Sequence, residues 1–258
     1  MAHAVAHPDT EPLARLTVPV AALVAAVVGL AWYVVWATQD VTMSVLTPMM
    51  GFEAPQMAAF FAVMVVMMVA MMLPSALPMV LAYRGLTRLE GGRPVRPADD
   101  VGTVLFAVPY FLVWGLFAVL ALFGLLALGL LGPFTGTLLL APAAVPLAAG
   151  GYQFTRPKEV CLSHCESPLG FVMRHWRSGR AGALRMGLRH SFYCVGCCWL
   201  FMLVLFVTGA MSLVWMGLVS ILIFVEKVGT RRFPVSKAIG GILLVFGGLL
   251  AAQAFLAA

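Results

Sequence analysis

The sequence predicts an all-α fold: a polytopic integral membrane helical bundle of about seven transmembrane helices. The composition is the first reason, because 62% of the 258 residues are hydrophobic and only 10% are charged, whereas a soluble domain carries about 25% charged residues. The second is the series of apolar stretches close to the roughly 20 residues that a helix needs to cross the hydrocarbon core. The third is the placement of the basic residues between these stretches. We expect the whole chain, 1–258, to form a single membrane domain.

Seven apolar stretches account for the predicted helices. They cover about 18–37, 56–82, 102–131, 136–154, 188–209, 211–228 and 236–257. The fourth stretch is the weakest, because it is short and contains Pro142 and Pro146, which disfavour a regular helix. The fifth and sixth are separated only by a short turn near Gly209.

The basic residues predict the orientation of the bundle. Seven spans would place four segments on one side of the membrane: the N-terminus, 83–101, 155–187 and 229–235. All sixteen Lys and Arg lie within these segments or within two residues of them. The positive-inside rule then places the N-terminus in the cytoplasm and the C-terminus outside. We expect a bacterial inner-membrane protein with a cytoplasmic Cys/His loop at 155–187. No basic cluster is interleaved with aromatic residues in a soluble segment, so nucleic-acid binding is not expected.

Two groups of cysteine and histidine residues form the candidate site. The first lies in the 155–187 loop and the second at the cytoplasmic start of the fifth span. At about 100° per residue, the four members of the second group project from a helix face about 100° wide. We expect the loop to fold back onto this face, since neither group alone closes a site. The candidate metal ligands are Cys161, His164, Cys165, His190, Cys194, Cys197 and Cys198.

Three interpretations of these groups remain open. Membrane cysteines pack well as small apolar residues. A disulfide is disfavoured by the odd number of cysteines, five, and by the reducing side on which they are expected. A metal site is favoured for the whole constellation, because thiolates select Cu(I), Zn or iron–sulfur clusters and imidazole suits Cu and Zn.

A methionine stripe is the second candidate feature. Ten of the sixteen methionines lie between residues 43 and 79. Such a stripe is typical of packing, but thioethers are also soft ligands for Cu(I), and this one leads toward the thiols. Pro74 and Pro78 must kink its cytoplasmic half. The possible metal path consists of Met57, Met64, Met68, Met71, Met72 and Glu53, and Met79 continues the stripe. The methionines share a helix face about 100° wide, and Glu53 would share that face just outside them.

Glu226 and Lys227 lie near the cytoplasmic end of the sixth span. An interfacial ion pair between them is the simpler interpretation. A metal ligand or proton carrier is the alternative, since ionisable groups at membrane depth are functional candidates.

Several of these stretches together resemble a bacterial family of predicted metal-binding integral membrane proteins of unknown function, sometimes labelled copper chaperones. The matching segments are "MVVMMVAMMLPSALPM", the Cys-Leu-x-x-Cys motif, "GALRMGLRH", the Cys-x-Gly-Cys-Cys-Trp motif and "EK" at 226–227. The resemblance covers roughly residues 50–230. It implies that metal binding falls on Cys161, Cys165, His190, Cys194, Cys197 and Cys198.

Three functions are compatible with this pattern. The favoured one is a Cu(I)-handling membrane protein, chaperone-like or permease-like. The second is a subunit of a membrane-bound copper-dependent oxygenase acting on hydrophobic substrates, and the third is a structural zinc site in a membrane scaffold. Expected partners are the metal ion, the lipid bilayer, and a soluble or periplasmic copper protein or an oxygenase. No catalytic residue is assigned, and copper is favoured over zinc.

Overall fold

The computed structural model describes residues 11–38, 54–90, 93–94, 97, 99–127, 141–208, 212–229 and 235–257. Nearly all of these residues are helical. The helices are α1 (Glu11–Ala37), α2 (Ala54–Thr87), α3 (Asp100–Ala127), α4 (Ala141–Tyr152), α5 (Arg156–Cys165), α6 (Pro168–His175), α7 (Gly179–Thr208), α8 (Leu213–Val228) and α9 (Val235–Ala257). A short antiparallel pair, β1 (Leu89–Glu90) and β2 (Arg93–Pro94), follows α2.

Five of the predicted spans are long and apolar enough to cross a membrane. They are Val18–Ala37, Phe61–Thr87, Asp100–Ala121, Gly179–Leu205 and Val235–Leu256. The fourth and sixth predicted spans coincide with α4 and α8, which have 12 and 16 described residues and fall short of the roughly 20 needed to cross alone. The predicted turn at Gly209 lies outside the described residues.

The segment 155–187, predicted to be a loop, is largely helical. It contains α5, α6 and the first turns of α7. Pro157 and Pro168 each occupy the first turn of a short helix, where the missing N–H costs nothing and the fixed φ favours helix. Helix α7 then begins at Gly179 and runs through the predicted start of the fifth span at 188, because no proline interrupts it.

Helix α7 lies at the centre of the packing, against α3, α4, α5 and α8. It approaches α3 closely at Gly187, where an added Cβ would collide with the backbone carbonyl of Phe106. Helix α1 packs on α2, and the indole N–H of Trp32 donates to the carbonyl of Ala70 at 3.0 Å. The main buried core therefore forms between α2, α3, α7 and α8, where the methionines and cysteines lie.

Candidate metal centre

Two cysteines from different helices meet in the core. Helix α5 packs on α7 through the buried side chains of Lys158, Leu162 and Cys165, whose spacing places them on one helix face. This brings the sulfur of Cys165 to 4.0 Å from the sulfur of Cys197. The expectation that the first cysteine group folds back onto the α7 face is confirmed.

The distance between these two sulfurs is compatible with a shared metal ion. Thiolates bind a metal such as zinc at about 2.3 Å, so two sulfurs on one ion stand at most about 4.6 Å apart. The 4.0 Å separation of Cys165 and Cys197 lies within that limit. Of the predicted ligands, this pair of sulfurs therefore already stands at a distance that one metal ion could bridge.

The three cysteines of α7 are buried together. Cys194, Cys197 and Cys198 are each 1% exposed. The thiols of Cys197 and Cys198 donate to the carbonyl of Cys194 at 3.1 and 2.9 Å. All five cysteines are free thiols, which gives the disulfide interpretation no support.

The two cysteines of α5 favour the protonated state. Hydrogen bonds to the thiols of Cys194 and Cys197, together with burial, raise the pKa of Cys165 well above its usual range. Burial, and then the nearby Cys197, raise the pKa of Cys161. The sulfur of Cys161 packs against Gly196, at 2.7 Å from where a Cβ would stand. Because a thiol must lose its proton to bind a metal, binding at these residues releases protons.

His190 is a histidine buried among aromatic side chains. Its ring lies between Phe106, Tyr110 and Phe171, with centroid distances of 6.1, 6.2 and 5.7 Å. Neither ring nitrogen has a hydrogen-bond partner among the described residues, although buried polar atoms are normally paired. Either ring nitrogen of such an imidazole can offer its lone pair to a ligand, depending on the tautomer, and His190 precedes Cys194 by one helical turn.

His164 is directed elsewhere. Its ring stacks on Tyr193 at 3.9 Å, and its Nδ1 stands 2.7 Å from the carbonyl of Val160. It also lies 6.0 Å from the ring of His175. In the described ranges, no three His, Cys, Asp or Glu side chains stand close enough to hold one ion, so any ligands beyond the Cys165–Cys197 pair would have to reorient.

The described methionines of the stripe are buried in the same core as the thiols. Met64, Met68, Met71 and Met72 are at most 6% exposed and belong to the cluster that contains Cys165, Cys194, Cys197 and Cys198. Met67, which the stripe did not include, is buried with them. Met79 belongs to a neighbouring cluster with Tyr83 and Phe106. Glu53 and the side chain of Met57 lie outside the described part of the chain.

A buried ion pair lies beside the cysteines. The Lys158 ammonium and a Glu226 carboxylate oxygen are 2.6 Å apart, and both side chains are almost completely buried. The same ammonium donates to the carbonyl of Cys197. The interfacial Glu226–Lys227 pair expected from the sequence is therefore wrong, because Glu226 pairs with Lys158. The i, i+4, i+7 spacing of Lys158 with Leu162 and Cys165 could have indicated that Lys158 is buried, but not which residue it contacts.

Lys227 instead approaches a candidate ligand. Its ammonium donates to the sulfur of Cys194 at 3.1 Å and to the hydroxyl of Ser75 at 3.2 Å. The thiol of Cys194 is 3.6 Å from the hydroxyl of Tyr110. The sequence did not indicate Tyr110 or this role of Lys227, because Tyr110 lies on α3 and Lys227 on α8, and a single sequence does not show which helices contact α7.

The family to which the chain belongs follows from a match to a known family. The sequence model of the PpoB2 family, described as copper chaperones, matches residues 61–250. The chain belongs to the PpoB2 family. The matched region contains all seven candidate Cys and His ligands and Met64, Met68, Met71 and Met72, and it confirms the resemblance found from the motifs. No curated protein and no solved structure matches the chain. In this PpoB2 member, thiols, thioethers and the His190 imidazole, which has no partner among the described residues, are donor types that suit copper.

Proposed function

We propose that this chain is a Cu(I)-binding integral membrane protein, chaperone-like or permease-like, that holds copper as cargo in its Cys/His cluster. The observation that carries the proposal is the pair of sulfurs, Cys165 on α5 and Cys197 on α7, 4.0 Å apart in a buried core. A soft cation can replace the protons of these two thiols without a change in helix packing. Membership of a family described as copper chaperones supports copper as that cation.

The coordination available favours Cu(I) over zinc. Structural zinc sites are closed by four ligands in a tetrahedron, and no such set stands together in the described residues. Cu(I) prefers thiolates and thioethers and is stable with a pair of thiolates. Cys194, Cys198 and His190 lie on the same face of α7 as Cys197 and supply further ligands during transfer. Lys227 provides a positive charge beside Cys194, which offsets the negative charge of bound thiolates.

The methionine stripe supports movement of the ion as well as storage. Met64, Met68, Met71 and Met72 lie in the core that contains the thiols. Their thioethers are weaker ligands than thiolates and suit a path along which Cu(I) exchanges rapidly. We propose that copper passes along this face of α2, and that Met57 and Glu53 extend the path at its outer end.

We further propose that the chain crosses the bacterial inner membrane seven times, with the N-terminus in the cytoplasm. The five long apolar helices and the placement of all basic residues on one side support this topology. Helices α4 and α8 are too short to cross alone, and would supply the other two crossings packed against α7 and α9. The cysteine cluster then lies at the cytoplasmic face, where a soluble copper protein exchanges the ion, and a periplasmic copper protein or an oxygenase is the expected partner on the other side.

Metal selectivity tests the proposal. The full chain is purified in detergent and loaded anaerobically with Cu(I) or Zn(II) in the presence of a competing chelator for each metal. We expect tighter binding of Cu(I), and we expect Cys194→Ser with Cys197→Ser to remove most of it, while Ser191→Ala, a buried change on the same helix, leaves it intact. Tighter, chelator-resistant Zn(II) binding would instead indicate a structural zinc site.

A further inference from the structure

A cationic cavity of about 460 Å³ opens beside the start of α7, away from the cysteines. One wall is formed by the end of α6 and the segment that follows it, and the other wall by the first turns of α7. Four arginines line it, and Trp176 and Met186 add apolar surface. The arginines are Arg174, Arg177, Arg185 and Arg189.

Among the described residues, no acidic side chain forms an ion pair with these arginines. In the part of the chain that the structure describes, the ion pairs are Arg84 with Asp100 and Lys158 with Glu226, and neither involves the cavity. Four guanidinium groups around one cavity repel each other, so an anion bound between them relieves that repulsion. Guanidinium groups bind phosphate oxygens in a bidentate manner more readily than other basic side chains do.

The size and surroundings of the cavity select the kind of phosphate. Cavities of about 300–1,000 Å³ hold molecules of the size of a drug, so an inorganic phosphate would leave most of this one unfilled. An apolar stripe begins beside it on α7, where Leu184, Leu188 and Phe192 are 43%, 42% and 59% exposed. Residues four apart lie on one face of a helix, and these three lie within the candidate span Gly179–Leu205.

We propose that this cavity binds the phosphate-bearing headgroup of an anionic phospholipid, whose acyl chains lie along the Leu184–Leu188–Phe192 stripe. A basic pocket next to a membrane helix is suited to acidic lipid headgroups. The proposal requires the membrane embedding proposed above and does not depend on copper. It assigns to the α6–α7 region a role in anchoring the base of the helix that carries the cysteines.

Lipid binding to the full chain tests this inference. The detergent-purified protein is titrated with phosphatidylglycerol or phosphatidylcholine of the same acyl chains, and bound lipid is measured by native mass spectrometry. We expect a preference for phosphatidylglycerol that Arg185→Gln with Arg189→Gln weakens about tenfold or more, since each basic residue near an anionic headgroup strengthens the attraction. Arg180→Gln, an exposed change on the same helix outside the cavity lining, should leave the preference intact.

Soluble competitors distinguish the source of the phosphate. Inorganic phosphate and glycerol phosphate should displace phosphatidylglycerol only at concentrations far above that of the lipid. Equal displacement would overturn the lipid assignment, and so would equal retention of the two lipids by the unaltered protein. If the double variant is poorly folded by size-exclusion chromatography, Arg174→Gln with Arg177→Gln tests the opposite wall of the cavity. Release of the protein from membranes by alkaline carbonate would refute the embedding itself, independently of the headgroup preference.

Discussion

Lys158 of α5 and Glu226 of α8 form an ion pair of 2.6 Å in the interior of the protein. The Lys158 ammonium also donates to the carbonyl of Cys197 on α7 and lies 5.2 Å from the centre of the Phe201 ring. One side chain thus connects three helices beside the cysteine cluster. Helix α5, which carries Cys161 and Cys165, is held against α7 by this contact as well as by apolar packing.

A double-mutant cycle tests this ion pair. Lys158→Met leaves the Glu226 carboxylate buried without compensation, and breaking a buried pair in this way costs about 3–5 kcal/mol. We expect a large fall in the thermal unfolding temperature in detergent. Glu226→Gln combined with Lys158→Met removes both charges and should recover most of the loss. Equal destabilisation by the single and double variants would show that the two charges do not interact.

The close approach of α3 and α7 at Gly187 gives a second prediction. An added methyl group there meets the backbone of Phe106, which cannot move as a side chain can. We expect Gly187→Ala to destabilise the protein by about 1–3 kcal/mol or more, the usual cost of overpacking. Gly85→Ala on α2 is the matched control, because a Cβ there meets nothing within 4 Å, and alanine favours helix by up to about 1 kcal/mol over glycine. Similar unfolding temperatures for the two variants would contradict the close approach.

The role of the methionines in copper movement is tested by Met64→Leu, Met68→Leu and Met71→Leu together. Leucine keeps the volume and apolarity of these buried side chains, so each change should cost less than about 1.5 kcal/mol. Loss of the thioethers should lower copper accumulation and alter copper tolerance in cells. Met216→Leu, equally buried on α8, is the control. If copper accumulation is unchanged, the stripe serves packing alone and the permease-like function is wrong.

The seven-span topology is tested by labelling single cysteines introduced into the chain. We expect Val45→Cys to react with an impermeant thiol reagent in intact cells, and Glu90→Cys to react only after permeabilisation. The basic residues around 83–101 are the reason, because they retain this segment in the cytoplasm. The reverse pattern would invert the orientation and place the cysteine cluster on the oxidising side.

Much of the helical architecture could be predicted from hydropathy alone. The apolar stretches at 18–37, 56–82 and 236–257 correspond to α1, α2 and α9, whose described ends differ from the predicted ones by at most seven residues. The start of α7 could not be predicted in this way, because residues 179–187 are mostly arginine, glycine and alanine and their hydropathy is low. Hydropathy reports solvent preference, whereas helix continuity depends on the absence of a breaking residue. The same limitation explains why α5 and α6 were expected to be loop.

The candidate site could be predicted in its residue types and in part of its geometry. The spacing of His190, Cys194 and Cys197 on one helix face, and the return of Cys165 to it, followed from periodicity and from chemistry. The contacts of Lys158 and Lys227 did not, because the partners are 68 and 33 residues away in the chain and a single sequence holds no record of which helices touch. The stacking of the His164 ring on Tyr193 could not be predicted for the same reason.

The affinity for Cu(I) of a variant lacking both members of the sulfur pair tests the central claim most directly. The full chain, Cys165→Ser with Cys197→Ser, and Ser191→Ala are purified in detergent, and Cu(I) affinity is measured anaerobically by competition with a chromophoric chelator. We expect the double variant to lose more than about 100-fold in affinity, beyond the 10–100-fold typical of removing an outer partner of a ligand, and Ser191→Ala to bind as the unaltered protein does. Unchanged Cu(I) affinity in the double variant would contradict the claim that these two sulfurs hold the ion.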